Sequence, residues 1–478
     1  MFKLFSRSSI VVVFFGYCIN LNAQANGSQI TLDEYLSQVA GKNGAYKGAE
    51  IGEEAASLRE EEWSLITSPS LFGGAQRFKD EREVSSPRFQ GSETTVDTYS
   101  LGVNQQTNFG LAAKLSYVYN DTTIKGADTT FLPDPHFLTA GPYLELTQAL
   151  GRNGFGGEIR ASQRLQEAQA KAAKHLSGFK RTTIGAEAES LYWRLALSRE
   201  ALAAAKQNKE RADRILGWSS NRAKMELADR ADLLQAEAAL LSRTLELQTA
   251  TDDEKAASRA FNTMRGLESE FVSETLSGFD ERTLSTLKVP EKKGLRGDVR
   301  AAEQEQIAAQ ANAELARQRN KPVLDAFVNV GLNGRDTKSD DTVSESFTDK
   351  HPHTTFGVRF NIPLDLVQSS KNREAYTREA LAAKMNYQQK VFEEQRLWLD
   401  LNKKFNDARQ RLELAVRIEA AQKKKLEYER NRHSRGRTTT YQVILFEQDF
   451  SGAQLARIRA QTDVLNVFAQ LKTFGGGR

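Results

Sequence analysis

Cysteine is almost absent from this sequence: Cys18 is the only one among 478 residues. It falls inside a predicted signal peptide, so the mature chain would contain none. That absence excludes disulfides, cysteine nucleophiles and thiolate-bound metals. Long apolar runs are also scarce, and after residue 25 no apolar stretch is long enough for a membrane-spanning helix. Any membrane crossing would therefore have to use a closed β-barrel.

The first 25 residues are predicted to be a secretory signal peptide. Two basic residues precede an apolar run from Ile10 to Ile19, which is too short to span a bilayer comfortably. Residues 23–25 then supply a small-x-small cleavage site, so the mature chain would begin near Asn26. A lipoprotein acylated at Cys18 is the alternative, which the bulky Tyr17 before it disfavours.

Neither positive nor negative charge is in large excess. The sequence also offers no set of residues that would form a catalytic site. The net charge is +4, which gives no reason to expect nucleic acid as a partner. His351 and His353 could share a metal, but they lie in a predicted loop without further ligands. Residues 154–157 are glycine-rich but lack the spacing of a phosphate-binding loop. We predict no enzymatic activity, no cofactor and no metal site.

Proline is rare, and its distribution predicts long helices. None of the nine prolines lies between Pro142 and Pro290 or after Pro363. A proline inside a helix costs about 3 kcal/mol or more, and both proline-free tracts are rich in helix-forming residues. Each tract is predicted to be two antiparallel helices joined by a tight turn. The arms are 159–217 and 229–264, with a break at 217–221, and 368–432 and 441–472, with a break at 434–440.

Apolar stripes on these arms predict that they pack against neighbouring helices, as in a coiled coil. The stripes show association and not chemistry. In the third arm the stripe is Trp398, Leu401, Phe405, Ala408, Leu412 and Ala415, and in the second arm it is Leu233, Leu240, Thr244 and Leu247.

The proline-bearing parts alternate between apolar and polar residues with a period of two, which predicts strands. Strands of this kind suit a water-filled transmembrane barrel, although a soluble sheet with one wet face is the alternative. The helices before and after each group of strands must lie on the same side of a membrane, so each group needs an even number of strands. The second half offers 323–333 and 354–364. The first half offers up to four, 70–79, 98–106, 109–119 and 142–150, unless 98–119 is a hairpin or one long strand outside the barrel.

The chain also contains an internal repeat. Residues 147–150 are echoed by 361–364, and residues 68–71 by 321–324, so each half has the order helix, strands, long helical hairpin. The predicted segments are a signal peptide (1–25), an N-terminal helix (26–68), a first strand group (69–150), a first helical hairpin (151–266), an equatorial connector and helix (267–320), a second strand pair (321–365), a second helical hairpin (366–473) and a tail (474–478).

Several passages stand in a characteristic order and spacing along nearly all of the mature chain. They are Gly151–Gly157, the helix Ala186–Leu195 with its aromatic pair, Ala231–Glu237, Arg300–Glu303, Lys321-Pro322 and the turn Gly436–Val443. In their order and spacing they resemble the outer membrane efflux protein family, the TolC-like channels.

The resemblance implies a fold that is mainly α with a transmembrane β-barrel. Long helical hairpins would form a trimeric periplasmic α-barrel, and antiparallel strands would form a shared outer-membrane barrel. It further implies a homotrimer in the outer membrane of a Gram-negative bacterium. That trimer would be the exit duct of a tripartite efflux or type I secretion system. Its partners would be outer-membrane lipid, a periplasmic adaptor (membrane fusion protein) and an inner-membrane pump. The alternative is a periplasmic coiled-coil adaptor without a membrane-spanning barrel.

Family channels open near the two helical turns, where pump and adaptor dock. The candidate gate and docking residues are Glu226, Asp229, Asp232, Arg432, Arg435, Gly436, Arg437 and Gln442. Their charges are either solvated helix ends, each contributing well under 1 kcal/mol, or they pair across hairpins and hold the closed state. Glu226 stands where the family usually has glycine. Gln442 and Leu445 occupy the positions of an acidic constriction, so cation selectivity is not implied.

Overall fold

A computed structural model describes residues 29–225, 229–277, 284 and 287–475 of the chain. The predicted signal peptide, Cys18 and Glu226 lie outside these residues. The helices of the described part are α1 (Leu32–Lys42), α2 (Gly44–Leu58), α3 (Pro87–Gln90), α4 (Gly157–Lys224), α5 (Arg230–Met264), α6 (Gly297–Arg319), α7 (Ser339–Glu345), α8 (Leu366–Ser434) and α9 (Thr440–Lys472). The strands are β1 (Gln29–Ile30), β2 (Ser70–Asp80), β3 (Glu93–Gln106), β4 (Leu111–Lys125), β5 (His136–Ala149), β6 (Thr275–Leu276), β7 (Val323–Leu332), β8 (Gly334–Asp336) and β9 (Pro352–Asn361).

Two very long helices, α4 and α8, dominate the molecule. They contain 68 and 69 residues, so each is about 100 Å long at 1.5 Å per residue. The break predicted at 217–221 is wrong, because α4 continues through Gly217 to Lys224. One glycine costs a helix only about 1 kcal/mol relative to alanine, and packing of the adjacent Trp218 and Ser219 outweighs that cost. The break predicted at 434–440 is confirmed, since α8 ends at Ser434 and α9 begins at Thr440.

The passage from strand β5 into helix α4 is a compact, glycine-dependent junction. The Asn153 side chain accepts hydrogen bonds from the backbone N–H groups of Glu158 and Ile159, which caps the start of α4. Gly156 has a φ of +81°, and a Cβ atom there would lie 1.9 Å from the carbonyl oxygen of Asn108. Only glycine fits this position, because the turn between β3 and β4 is pressed against it.

Six strands form one antiparallel sheet in the order β2-β3-β4-β5-β7-β9, and the short β8 pairs with β5. All four strands predicted in the first half are therefore present, and they belong to the same sheet as the two long strands of the second half. β3, β4 and β5 contain 14 or 15 residues each and are longer than predicted. The first half therefore contributes four long strands, an even number, as expected for a strand group with helices on both sides.

The sheet has one polar and one apolar face. Directly paired residues share a face, so the register defines rows of side chains that cross the sheet. One row, on the polar face, is Ser70, Asn104, Lys114, Glu145, Asn329 and Thr355. The adjacent row on the apolar face is Leu71, Val103, Leu115, Leu144, Val330 and Thr354. Most large side chains of the apolar face are exposed, so little of the described chain covers it.

The long helices form an open layer. Next to the hairpin turns the packing order is α5-α4-α9-α8, and next to the sheet it is α2-α4-α6-α8. The stripe predicted on the third arm is confirmed, since Leu401, Phe405, Ala408 and Leu412 are buried. On the second arm, the predicted Leu233, Leu240 and Leu247 are half-buried on the same face as the buried Ala236 and Arg243, whereas Thr244 is exposed. In α5 the buried residues are Ala236, Arg243, Ala257, Ser258, Phe261, Asn262 and Met264.

An aromatic core joins the N-terminal helix to both hairpins midway along the molecule. The Tyr35 ring stacks on Phe261 at 4.0 Å between centroids, and the Tyr192 hydroxyl donates to the carbonyl oxygen of Ile30 at 2.9 Å. Burial raises the pKa of both tyrosines, so both phenols stay neutral. Among the helices that the structure describes, none is long and apolar enough to cross a membrane.

Candidate functional site

The described ends of the two long hairpins lie side by side, and we call this end of the molecule the tip (residues 218–225, 229–232 and 431–442). The α8–α9 turn is a Schellman motif. The Arg437 N–H donates to the Arg432 carbonyl at 2.9 Å, and the Gly436 N–H donates to the His433 carbonyl at 2.9 Å. Gly436 has a φ of +70°, which closes the turn, and Thr439 caps α9 by accepting from the Gln442 N–H.

The other turn places Asp229 at the N-cap of α5, where its carboxylate accepts a hydrogen bond from the Ala231 N–H. Asp232 lies in the first turn of α5, where a negative charge is favourable beside the helix dipole. Both acidic residues of this turn that the structure describes therefore have a local role at the start of a helix.

The predicted basic residues also make contacts within their own turn. Arg432 pairs with Glu429 and donates to the carbonyl oxygen of Arg437. The Gln442 side chain accepts a hydrogen bond from the Thr438 hydroxyl, and Arg435 is the C-cap of α8. Within the described residues no ion pair joins Asp229 or Asp232 to Arg432, Arg435 or Arg437. The structure brings these residues to one end but does not pair them across hairpins.

An aromatic contact joins the two hairpins at the tip instead. Trp218 of α4 and His433 of α8 have ring centroids 4.1 Å apart, and the Arg222 guanidinium lies 4.7 Å from the Trp218 centroid. Burial, followed by the charge of Arg222, lowers the pKa of His433, while Asp232 and Glu429 act in the opposite direction. The imidazole is therefore neutral near pH 7 and packs as an aromatic ring.

Above the tip, a buried carboxylate connects three helices. Glu447 of α9 is 9% exposed and pairs with Arg211 of α4 at 3.0 Å. Its other oxygen accepts from Nε of Arg430 on α8 at 2.9 Å. A charge in this setting needs a partner, because removing one member of a buried pair leaves an uncompensated charge.

A second set of hydrogen bonds extends this network to the fourth helix. The Ser451 hydroxyl of α9 accepts from Asn208 of α4 at 2.7 Å and from Arg243 of α5 at 3.0 Å. Arg211 also donates to the Asn208 side chain. We call these six residues, Asn208, Arg211, Arg243, Arg430, Glu447 and Ser451, the polar layer. They tie all four long helices together.

Sequence reasoning missed the polar layer because it searched the turns. A usable signal existed in α9, where Glu447 and Ser451 fall on the face that also carries the buried Val443, Ile444 and Phe450. Polar residues on a buried helical face require partners, although the sequence does not reveal which helix provides them. Among the described residues, no group of three or more His, Cys, Asp or Glu residues is arranged to hold a metal ion.

Comparison with known proteins identifies the architecture. Residues 292–477 match the family model described as outer membrane efflux protein. The match covers 186 of the 478 residues and lies in the second half of the chain. No curated protein matches the sequence.

Solved structures of TolC-like channels match over nearly the whole chain. VceC of Vibrio cholerae is 15% identical with a TM-score of 0.66, and the match covers 93% of this chain and 96% of VceC. CmeC of Campylobacter jejuni is 16% identical with a TM-score of 0.62, covering 99% of this chain and 94% of CmeC. The open state of MtrE of Neisseria gonorrhoeae is 15% identical with a TM-score of 0.63, and the match covers 93% of this chain and 89% of MtrE. The predicted fold, long helices with an antiparallel sheet as in TolC-like channels, is confirmed.

Proposed function

We propose that this protein is the outer-membrane exit duct of a tripartite efflux or type I secretion system. In this role it passively conducts cargo from a periplasmic pump and adaptor to the cell exterior. The observation that carries the proposal is that the amphipathic sheet and the layer of long helices are open at the same two sides. These open sides support an assembly of several copies.

The two open sides differ from each other. One side consists of α2, β2 and α5, and the other consists of β9 and α8. Both sides expose large apolar residues along their length. On the first side these are Ile51, Leu58, Leu71, Leu234, Leu241 and Leu245, and on the second they are Phe356, Val358, Phe360, Leu381, Met385, Phe392, Leu399, Leu414, Ile418 and Tyr428.

Different sides on each copy favour a head-to-tail ring in which β2 of one copy pairs with β9 of the next. Such pairing would also satisfy the backbone N–H and C=O groups that edge strands leave open. Three copies would bring together 18 strands and 12 long helices, from six strands and four helices each.

The circumferences of the two rings match. Helices packed about 9 Å apart give a ring of roughly 110 Å for 12 helices. Strands about 4.8 Å apart and tilted by about 40° give a similar circumference for 18 strands. The bore of the strands would then continue into the bore of the helices without a step. With the polar face inward, water fills the bore, and the apolar face contacts lipid.

The tip would be the docking site for an adaptor and pump, and the polar layer would hold the closed state of the channel. Both lie at the end of the helices opposite to the sheet, where a periplasmic partner would reach them. We propose a passive conduit without catalysis, cofactor or metal.

A pair of lysine substitutions tests this function. Leu115→Lys places a charge on the apolar face, and a charge facing the middle of the bilayer costs about 2–4 kcal/mol. Thr355→Lys places the same charge on the polar face and is the matched control. We expect the wild type and Thr355→Lys to fractionate with outer membranes, to have the mass of three copies in mild detergent and to conduct ions in planar bilayers. Leu115→Lys should accumulate far less in that fraction.

A wild-type protein that stayed soluble and monomeric without detergent would overturn the proposal and favour the coiled-coil adaptor. Equal membrane accumulation of the two lysine variants would also contradict it, because the two faces of the sheet would then not differ in their surroundings.

A further inference from the structure

The connection between β7 and β9 folds back over the sheet. Residues 337–348, which we call the strap, include helix α7 and lie against β4, β5 and β8. The strap follows β8, whose three residues pair with Leu138–Ala140 of β5. Its position over the sheet is therefore set by strand pairing.

Specific contacts fix the strap in place. The Tyr117 hydroxyl and the Ser346 hydroxyl lie 3.0 Å apart, and the Tyr117 and Phe347 rings stack with centroids 5.8 Å apart. Thr342 and Ser346 are completely buried. A Cβ atom on Gly334 would lie 2.4 Å from both the Ser346 nitrogen and the Thr342 carbonyl oxygen, so glycine permits this close approach.

The strap lies on the apolar face of the sheet. Tyr117 belongs to the row that includes Leu101, which is on this face by register. Leu138 and Ala140 of the same face are buried where the strap covers them, whereas Leu115, farther down β4, is exposed. The strap therefore covers one end of the apolar face and leaves the rest open.

Along the direction of the strands, the strap lies at the border between the apolar and the charged residues of this face. Below it the apolar rows begin, and at its own level Tyr99 pairs with Tyr119. One row above Tyr119, Asp121 pairs with His136, and Asp97 pairs with Arg77. Aromatic residues between an apolar band and a charged band are typical of a membrane–water interface. Phe347, on the strap, is itself 64% exposed.

A neighbouring copy cannot be what covers Phe347. β4 and β5 are the third and fourth of six strands, so two strands separate the strap from each edge. Copies that pair through β2 and β9 would meet at those edges. In the proposed assembly, the apolar face away from these edges contacts lipid.

We propose that the strap is an interfacial anchor, with Phe347 and Val343 inserted at the boundary between headgroups and hydrocarbon in the outer leaflet. This inference rests on the proposed function, since it requires the apolar face to contact lipid. It assigns to this connection a role in fixing the depth of the sheet in the membrane. An outward position also leaves the mouth of the bore open.

Site-directed spin labelling tests the anchor, because the mature chain is predicted to have no cysteine of its own. Phe347→Cys and Val343→Cys report on the strap, Leu115→Cys on the apolar face and Thr355→Cys on the polar face. The full-length protein is labelled and placed in phosphatidylcholine–phosphatidylglycerol vesicles. Accessibility is then measured to oxygen, which is enriched in lipid, and to a water-soluble nickel chelate.

We expect the oxygen-to-nickel ratio to be highest at Leu115→Cys, lowest at Thr355→Cys, and intermediate at both strap positions, several-fold above Thr355→Cys. Val343→Cys retains the Phe347 stacking and so reports on an intact strap. If both strap positions matched Thr355→Cys while Leu115→Cys remained lipid-exposed, the anchor would be overturned and the function would stand. If Leu115→Cys were itself accessible to nickel, the proposed function would fail.

Discussion

The tip and the polar layer above it both carry charged residues but use them differently. At the tip, Asp229 and Arg432 are satisfied by helix caps and contacts within their own turn. In the polar layer, the Glu447 carboxylate joins α9 to α4 through Arg211 at 3.0 Å and to α8 through Arg430 at 2.9 Å, as charge-assisted hydrogen bonds. Charges near a turn therefore shape the turn, whereas charges on a buried helical face hold the hairpins together.

The largest effect is expected when the charge of Glu447 is removed. Glu447→Gln removes the charge that compensates Arg211, whose side chain is 12% exposed, and we expect a loss of about 3 kcal/mol in the free energy of unfolding. Channels should open more readily, so conductance in planar bilayers should rise well above that of the wild type. Asp449→Asn is the control, because Asp449 pairs with Lys425 inside one hairpin and is more exposed. Equal conductance of the two variants would contradict a closing role for the polar layer.

A smaller effect is expected at the turn itself. Gly436 has a φ of +70° and open space around its Cβ position, so alanine is opposed by backbone conformation alone. We expect Gly436→Ala to lower stability by about 1 kcal/mol. Gly452→Ala, in open space within α9, is the control and should be neutral or slightly stabilising. Thermal unfolding measures both, and an unchanged Tm for Gly436→Ala would contradict the Schellman assignment.

Acid is expected to loosen the Trp218–His433 contact. The pKa of His433 is lowered in the packed tip, first by burial and then by Arg222, so a state with the tip unpacked takes up its proton first. Stability from this contact is therefore present above the ordinary pKa of histidine, about 6.5, and is lost as the pH falls below it. We expect conductance to rise on acidification from pH 7.5 to 5.5.

His433→Gln should reduce this pH dependence. The comparison must be made on conductance, because burial and the charge of Arg300 also lower the pKa of His175 and give total stability a pH dependence of the same sign. An identical conductance profile in wild type and His433→Gln would contradict the role of His433.

The smallest effect is expected from Asp232→Lys. The side chain has no ion pair within the described residues, so charge reversal should change conductance far less than Glu447→Gln does. Its measurable effect should be a modestly stronger acid response, because Asp232 supports the protonated form of His433. A conductance increase as large as that of Glu447→Gln would restore the hypothesis that tip charges close the channel.

The sequence predicts the long elements well because their causes are local. Missing prolines and helix-forming composition set the extents of α8 and α9, and period-two alternation identified every long strand. The break at 217–221 was wrong because local composition there suggests a turn, whereas Trp218 packs against another hairpin. The partners of Glu447 depend on how four helices are rotated against each other, which no single segment encodes. The strap was missed for a related reason, since its place over Tyr117 follows from the pairing of β8 with β5.

The claim that three copies close into a ring through two unlike sides can be tested by crosslinking. Leu241→Cys lies on the exposed side of α5 and Tyr428→Cys on the exposed side of α8, both within about three helical turns of the tip. The double variant, treated with a flexible bifunctional thiol reagent in membranes, should give dimers and trimers and no larger species. Each single variant should give only the uncrosslinked chain on a denaturing gel, because unlike sides meet. Dimers from a single variant, or a ladder extending beyond three copies, would contradict the account.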